Sequence, residues 1–191
     1  KKNLNIKQFY NIKSAEIAWI LGFIWADGYI NGNGIYVQIK SDDMDKLENI
    51  FFKIGNWDKR YRLPKNSKHK QTTLWINNNL LAKFLIENDF HLKSYETKKK
   101  ILKLIPDELK HYFYLGWADG DGSFYYNIHT VTYAHKFGIT SRLDYDWSAF
   151  EELLKTFDIK YSKFLKCYKG GKSSDIQITD RKPSILEMVA P

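Results

Sequence analysis

The stretch "ILGFIWADG", residues 20–28, decides how the chain is read. An apolar run starts at Ile17, continues to Ala26 and stops on Asp27 and Gly28. It predicts a buried helix, and it is too short to cross a bilayer. Such a helix ends on a carboxylate, at the negative end of its dipole, where an acid is electrostatically misplaced. Residues 114–122, "YLGWADGDG", repeat the arrangement. Leu21 aligns with Leu115, Gly22 with Gly116, Asp27 with Asp121 and Gly28 with Gly122, at an offset of 121 − 27 = 94 residues. A rival register pairs the two "WADG" strings and sets Asp119 against Asp27. The Leu-Gly pair fixes the helical phase against it. Asp27 and Asp121 each lie six residues after their leucine, whereas Asp119 lies four after.

Around these motifs the chain reads as two halves of one design, residues 1–98 and 99–191. In the first half Ser14 is placed to cap a helix running through Trp25. Gly28, Gly32 and Gly34 punctuate a hairpin whose second arm is residues 35–40, "IYVQIK". Met44, Leu47, Ile50, Phe51 and Ile54 have helical spacing. Strands over 59–63 and 72–76 and a helix over 78–88 complete the half. The second half repeats the order. A helix over 107–118 follows Pro106, a good helix-start residue. Strands at 123–131 and 136–140, a helix at 146–157, strands at 160–168 and 174–179, and a last helix near Pro183 follow.

Strand alternation separates two faces in each half. Ile35, Val37 and Ile39 oppose Tyr36, Gln38 and Lys40; Tyr61 and Leu63 oppose Arg60 and Arg62. Phe124, Tyr126 and Ile128 oppose Tyr125, Asn127 and His129; Ile176 and Ile178 oppose Asp175, Gln177 and Thr179. One face is apolar, for the helices; the other is polar, basic and aromatic. Thirty Lys and Arg against 22 acids give a net charge of +8, which suits a polyanionic partner. The 43% apolar content supports a core, and the single cysteine, Cys167, excludes a disulfide framework or a cysteine-rich zinc site. The first residues, "KKNLNIKQFY", lack an apolar signal core, so an intracellular protein of cytoplasm, nucleoid or organelle matrix is expected, with no membrane partner.

Gly22 and Ala26, like Gly116 and Gly120, are four apart and share a helix face. With no bulky side chain there, the two helices can pack backbone to backbone and set Asp27 beside Asp121. A divalent cation resolves the resulting repulsion, and oxygen ligands suit Mg²⁺.

The motif pair resembles the signature of the LAGLIDADG homing endonucleases, in their monomeric, two-motif form, and the likeness covers nearly the whole chain. The resemblance implies an α+β fold of two pseudo-symmetric αββαββα halves, whose antiparallel sheets form a DNA-binding saddle over the major groove. It implies a site-specific, metal-dependent nuclease making a staggered double-strand break in a long asymmetric target of double-stranded DNA. Its gene would be free-standing or intron-encoded. By the motif match, Asp27 and Asp121 are the metal-binding acids, and Ala26 and Gly120 offer backbone carbonyls. Mg²⁺ is the implied metal, with Mn²⁺ or Ca²⁺ substituting for binding. Trp25 replaces an acid common in the signature, at a position that is not the metal ligand. Residues 91–94, "HLKS", resemble the family's lysine-serine segment and nominate Lys93 for catalysis.

The DNA-contacting candidates of the first half are Tyr29, Asn31, Tyr36, Gln38, Lys40, Arg60, Arg62, Thr73 and Trp75. Those of the second are Tyr125, Asn127, His129, Lys136, Thr140, Arg142, Lys160, Lys166, Asp175, Gln177 and Thr179. Ser41, Asp42 and Ser141 are open to two readings, water- or phosphate-orienting groups or helix-capping turns. The alternative function is a catalytically inactive DNA- or RNA-binding protein on the same fold, a maturase or regulator; retention of both acids favours the enzyme.

Overall fold

Ser14 accepts a hydrogen bond from the Ile17 amide at 3.3 Å and opens the first long helix, as its capping chemistry requires. The computed structural model describes residues 4–64, 68–93, 98–126, 135–168 and 171–180. Its elements are α1 (Lys7–Tyr10), α2 (Ala15–Asp27), β1 (Gly28–Asn31), β2 (Gly34–Lys40), α3 (Ser41–Ile54), β3 (Asp58–Arg62), β4 (Gln71–Asn77) and α4 (Asn79–Glu87). Then come α5 (Lys99–Leu104), a 3₁₀ turn (Asp107–Leu109), α6 (Lys110–Asp121), β5 (Gly122–Tyr126), β6 (His135–Arg142), α7 (Ser148–Thr156), β7 (Tyr161–Tyr168) and β8 (Gly171–Asp180). The fold is α+β with two four-stranded antiparallel sheets of identical topology, β1-β2-β4-β3 and β5-β6-β8-β7.

Two compact units divide the chain, Lys1–Trp117 and Ala118–Pro191. The sequence halves meet at residue 98, whereas the compact units meet inside α6. The cause is local: the start of α6 packs against α2, while its end leads into the second sheet. In the first unit α2 is buried all along Ile17–Trp25, consistent with a helix apolar on every side. Trp19 stacks on Phe23 with ring centroids 5.0 Å apart, and Phe51 meets both edge-on. Ile35, Val37 and Leu74 close the core from the sheet. Lys59 also points to the helix side, where it pairs with Asp45 at 3.0 Å and with Glu48 of α3. In the second unit Phe137, Ile139, Ile176 and Ile178 of the sheet pack with Trp147, Phe150 and Leu154 in the core.

The helix ends differ slightly from the sequence reading. Helix α2 runs two residues beyond Trp25, and α6 begins after a 3₁₀ turn and extends past Ala118 to Asp121. The short helices α1 and α5 are additions. Tyr61 and Leu63, assigned to the helix-facing side, are 59% and 61% exposed. Strand β3 is the sheet edge, and Tyr61 and Leu63 border an open hollow beside Ser41, Asp42 and Asp45 of α3. The expected helix near Pro183 lies outside the described residues. No helix among the described residues is long and apolar enough to cross a membrane.

Candidate functional site

A Cβ added to Gly22 would overlap the Phe113 carbonyl oxygen and lie 2.9 Å from the Trp117 amide nitrogen. One added to Gly116 would overlap the Trp19 carbonyl oxygen and lie 2.9 Å from the Phe23 amide nitrogen. Each glycine therefore sits on the backbone of the opposite helix, three residues before and one after its counterpart. This reciprocal pattern is a local twofold, and it explains why the motif needs glycine there: any side chain would push the helices apart.

Asp27 and Asp121 are the last residues of α2 and α6, each followed by the glycine that opens a strand. Each lies five residues past its crossing glycine. Asp119 instead sits inside α6, so the Leu-Gly register and the helix ends agree. Asp27 is half-buried and Asp121 exposed.

The α2 terminus carries a third component. Lys93, in the turn after α4, donates to the Ala26 carbonyl at 2.5 Å and the Gly28 carbonyl at 2.6 Å, with Ile24 at 3.4 Å. Helix ends leave carbonyls without intrahelical partners, and the negative dipole end attracts cations. The ammonium answers both. Lys93 and Ala26 are thus brought together beside Asp27, and the oxygens there accept a cation. That donor set, a carboxylate and backbone carbonyls, fits a hard divalent ion. Among the described residues no three His, Cys, Asp or Glu side chains converge, so a metal here would rely on fewer than three such side chains, with carbonyls and water.

In the second unit Tyr145, which strand and helix periodicity do not single out, feels the charge of Asp121. Burial raises the Tyr145 phenol, and the charges of Asp121 and Asp146 raise it further. Tyr145 lies in the turn leading to α7, where strand alternation gives no signal. Its amide donates to the Arg142 carbonyl at 3.1 Å.

Register assembles the polar face of the first sheet. Tyr29 pairs with Tyr36, Tyr36 with Trp75, Gln38 with Thr73, Arg60 with Thr73, Lys40 with Gln71 and Arg62 with Gln71. Asn31, opposite Gly34, continues the face at its end. Tyr29 and Tyr36 stack at 4.9 Å, and the Arg60 guanidinium lies 5.7 Å from the Trp75 ring centre. Gln38 donates to Gln71 at 2.7 Å, which adds Gln71 to the candidates. Thr73 is only 2% exposed and donates to Gln38 at 3.4 Å, so it supports that side chain from beneath. Ser41 is buried and accepts from Thr72 at 2.9 Å, a tie between α3 and β4.

In the second sheet Lys136 pairs with Tyr125 and Thr179, Gly138 with Gln177, and Thr140 with Asp175. Arg142 and Lys166 both pair with Ser173. Arg142 lies 3.5 Å from Asp144. Asp175 is buried, 2% exposed, and ion-paired with Lys166. Lys160 is exposed just ahead of β7. Asn127 and His129 lie outside the described residues.

No protein-family model matches the sequence, and no curated protein does. Among solved structures the chain is similar to mesophilic variants of the homing endonuclease I-DmoI, with TM-score 0.55 and 13% identity over 92% of this chain and 93% of that one. A variant of I-DmoI in complex with its target DNA, with Mn present, gives TM-score 0.56 and 13% identity over 90% of each chain. Full-length DUF199/WhiA from Thermatoga maritima gives TM-score 0.52 and 14% identity over 96% of this chain and 58% of that one. This chain therefore has the fold of the LAGLIDADG homing endonucleases.

Proposed function

We propose that the protein is a site-specific DNA endonuclease that makes a metal-dependent, staggered double-strand break in a long asymmetric duplex. One observation carries this reading: two acids, matched in register, each terminate a motif helix at the end where a carboxylate needs a cation partner. The carbonyl cluster at the α2 end, seated on an ammonium, supports it. Asp27 with the Ala26 carbonyl, and Asp121 with the Gly120 carbonyl, would hold Mg²⁺, which when bound supplies water activation and charge stabilisation at the phosphate. I-DmoI has been crystallised in complex with DNA and Mn, and with DNA and Ca. The protein's own part is to aim these oxygens, to hold duplex DNA on its basic, aromatic sheet faces, and to position the phosphate. The two ends differ, with Lys93 at one and Tyr145 near the other. Unequal cutting of the two strands is therefore expected, seen as a nicked intermediate on supercoiled plasmid. Simultaneous loss of both strands would contradict it.

The sheet faces set the target. Arg60, held over Trp75, is the first candidate to read a guanine, and Gln38 with Gln71 an adenine. Arg60→Ala is expected to relax selection at one base position by about 1–3 kcal/mol. Uniform weakening across all sequences, measured on a panel of single-base target variants, would mark Arg60 as a phosphate contact.

A second reading is a DNA-binding protein without cleavage, favoured by the same fold in a protein described as DUF199/WhiA rather than as a nuclease. A randomised duplex library incubated with the protein and Mg²⁺ separates the two. Cut ends from one sequence, lost on chelation, are expected. Enrichment of one sequence that stays uncut gives the second reading.

A further inference from the structure

We propose that Lys93 is a resident counter-cation that occupies the Ala26 carbonyl in the DNA-free protein and so opposes metal entry at the first helix end. The inference rests on the assignment of Asp27 and the Ala26 carbonyl to the metal. The Lys93 ammonium is a three-donor cation, and carbonyl oxygens at 2.5, 2.6 and 3.4 Å accept from it. Two of these oxygens belong to residues that flank Asp27 in the chain. A divalent ion bound to the Ala26 oxygen would face the ammonium across that one atom, and like charges so close exclude each other. Ammonium and metal are therefore alternative occupants of one oxygen.

Lys93 is suited to leaving. It comes from a turn, not from a helix or strand, so the side chain can swing away without breaking a hydrogen-bonded ladder. Its alternative partner is a backbone phosphate, to which a lysine bonds with charge assistance. DNA would thus draw the ammonium off the carbonyls and open the site, and by linkage the metal would in turn tighten DNA binding. At this end metal binding is held back until a phosphate is present. The residue acts through the carbonyl it occupies and is a positioning residue.

The test is Mn²⁺ binding to the DNA-free full chain, read as free Mn²⁺ by electron paramagnetic resonance. High salt is used so that the through-solvent effect of one lost charge is screened. Lys93→Met is expected to bind Mn²⁺ about tenfold more tightly than the parent, as follows if the ammonium holds the oxygen about nine-tenths of the time. The gain should vanish in Lys93→Met combined with Asp27→Asn. Metal-free Lys93→Met should melt lower than the parent and recover more on adding Mn²⁺. Lys93→Gln, which is shorter and carries no charge to hold the carbonyl, should also bind Mn²⁺ more tightly than the parent if Lys93→Met fails to fold. Equal Asp27-dependent affinity in parent and Lys93 variants overturns this inference and leaves the metal assignment standing. A gain that survives Asp27→Asn also overturns it. Absence of any Asp27-dependent binding overturns both.

Discussion

Asp27→Asn and Asp121→Asn are each expected to reduce double-strand cleavage by about a hundred- to a thousandfold, the scale of losing a group that stabilises charge in the transition state. The amide matches the carboxylate in shape and keeps the helix end intact. What it removes is the negative charge that makes the terminus a cation site. DNA affinity should fall far less than cleavage, because most of the proposed base and phosphate contacts are on the sheet faces and only the linkage to metal is lost at the helix end. Single-turnover cleavage of a selected target in Mg²⁺, paired with binding in Ca²⁺, separates the two quantities. Asp119→Asn, inside α6, should retain activity. If Asp119→Asn were the dead variant and Asp121→Asn active, the register relating the two halves would be wrong.

Gly22→Ala and Gly116→Ala are expected to be among the most destabilising single-methyl changes in the chain. An alanine normally favours a helix interior over glycine by about 1 kcal/mol. Here the added Cβ would fall on backbone atoms of the opposite helix, with the Phe113 or Trp19 carbonyl oxygen inside contact distance. Backbone cannot turn aside as a side chain can, so the helices must separate and loosen the packing of Trp19, Phe23 and Phe113 around them. Overpacking costs about 1–3 kcal/mol, occasionally more, so against the propensity gain of about 1 kcal/mol a net loss of about 2 kcal/mol is expected. Urea unfolding reads it. A neutral or stabilising result would mean that the two motif helices are not in backbone contact.

Much of this was legible in the chain. The duplicated motif gave the two helices, their phase and the acids at their ends, because helical spacing is set by local geometry. Alternation placed Tyr36, Gln38, Arg60 and Trp75 on one face, and the register brings them together. Where the reading stopped, tertiary structure decides. Helices α1 and α5 have four and six residues, too few to show a period. Lys93 was nominated, yet its carbonyl acceptors lie 65 to 69 residues away in sequence. Tyr145 meets the charge of Asp121 from a turn, where neither helical nor strand period applies. Asp175 alternates with Ile176 as a face residue should, but its burial and its pairing with Lys166 follow from strands β7 and β8 coming together. Tyr61 and Leu63 read as core by alternation and are exposed at the sheet edge, beside an open hollow at the start of α3.

Asp27 and Asp121, each closing a motif helix, are proposed to hold the metal that cuts DNA. Crystals of the protein with its selected target, soaked in Mn²⁺ and measured near the manganese absorption edge, test this assignment most directly. Anomalous density is expected within coordination distance of the carboxylates of both Asp27 and Asp121, and its loss at each position in the corresponding Asn variant. Density at Asp119 in place of Asp121, or manganese bound away from both acids in crystals whose DNA is cut, would contradict it.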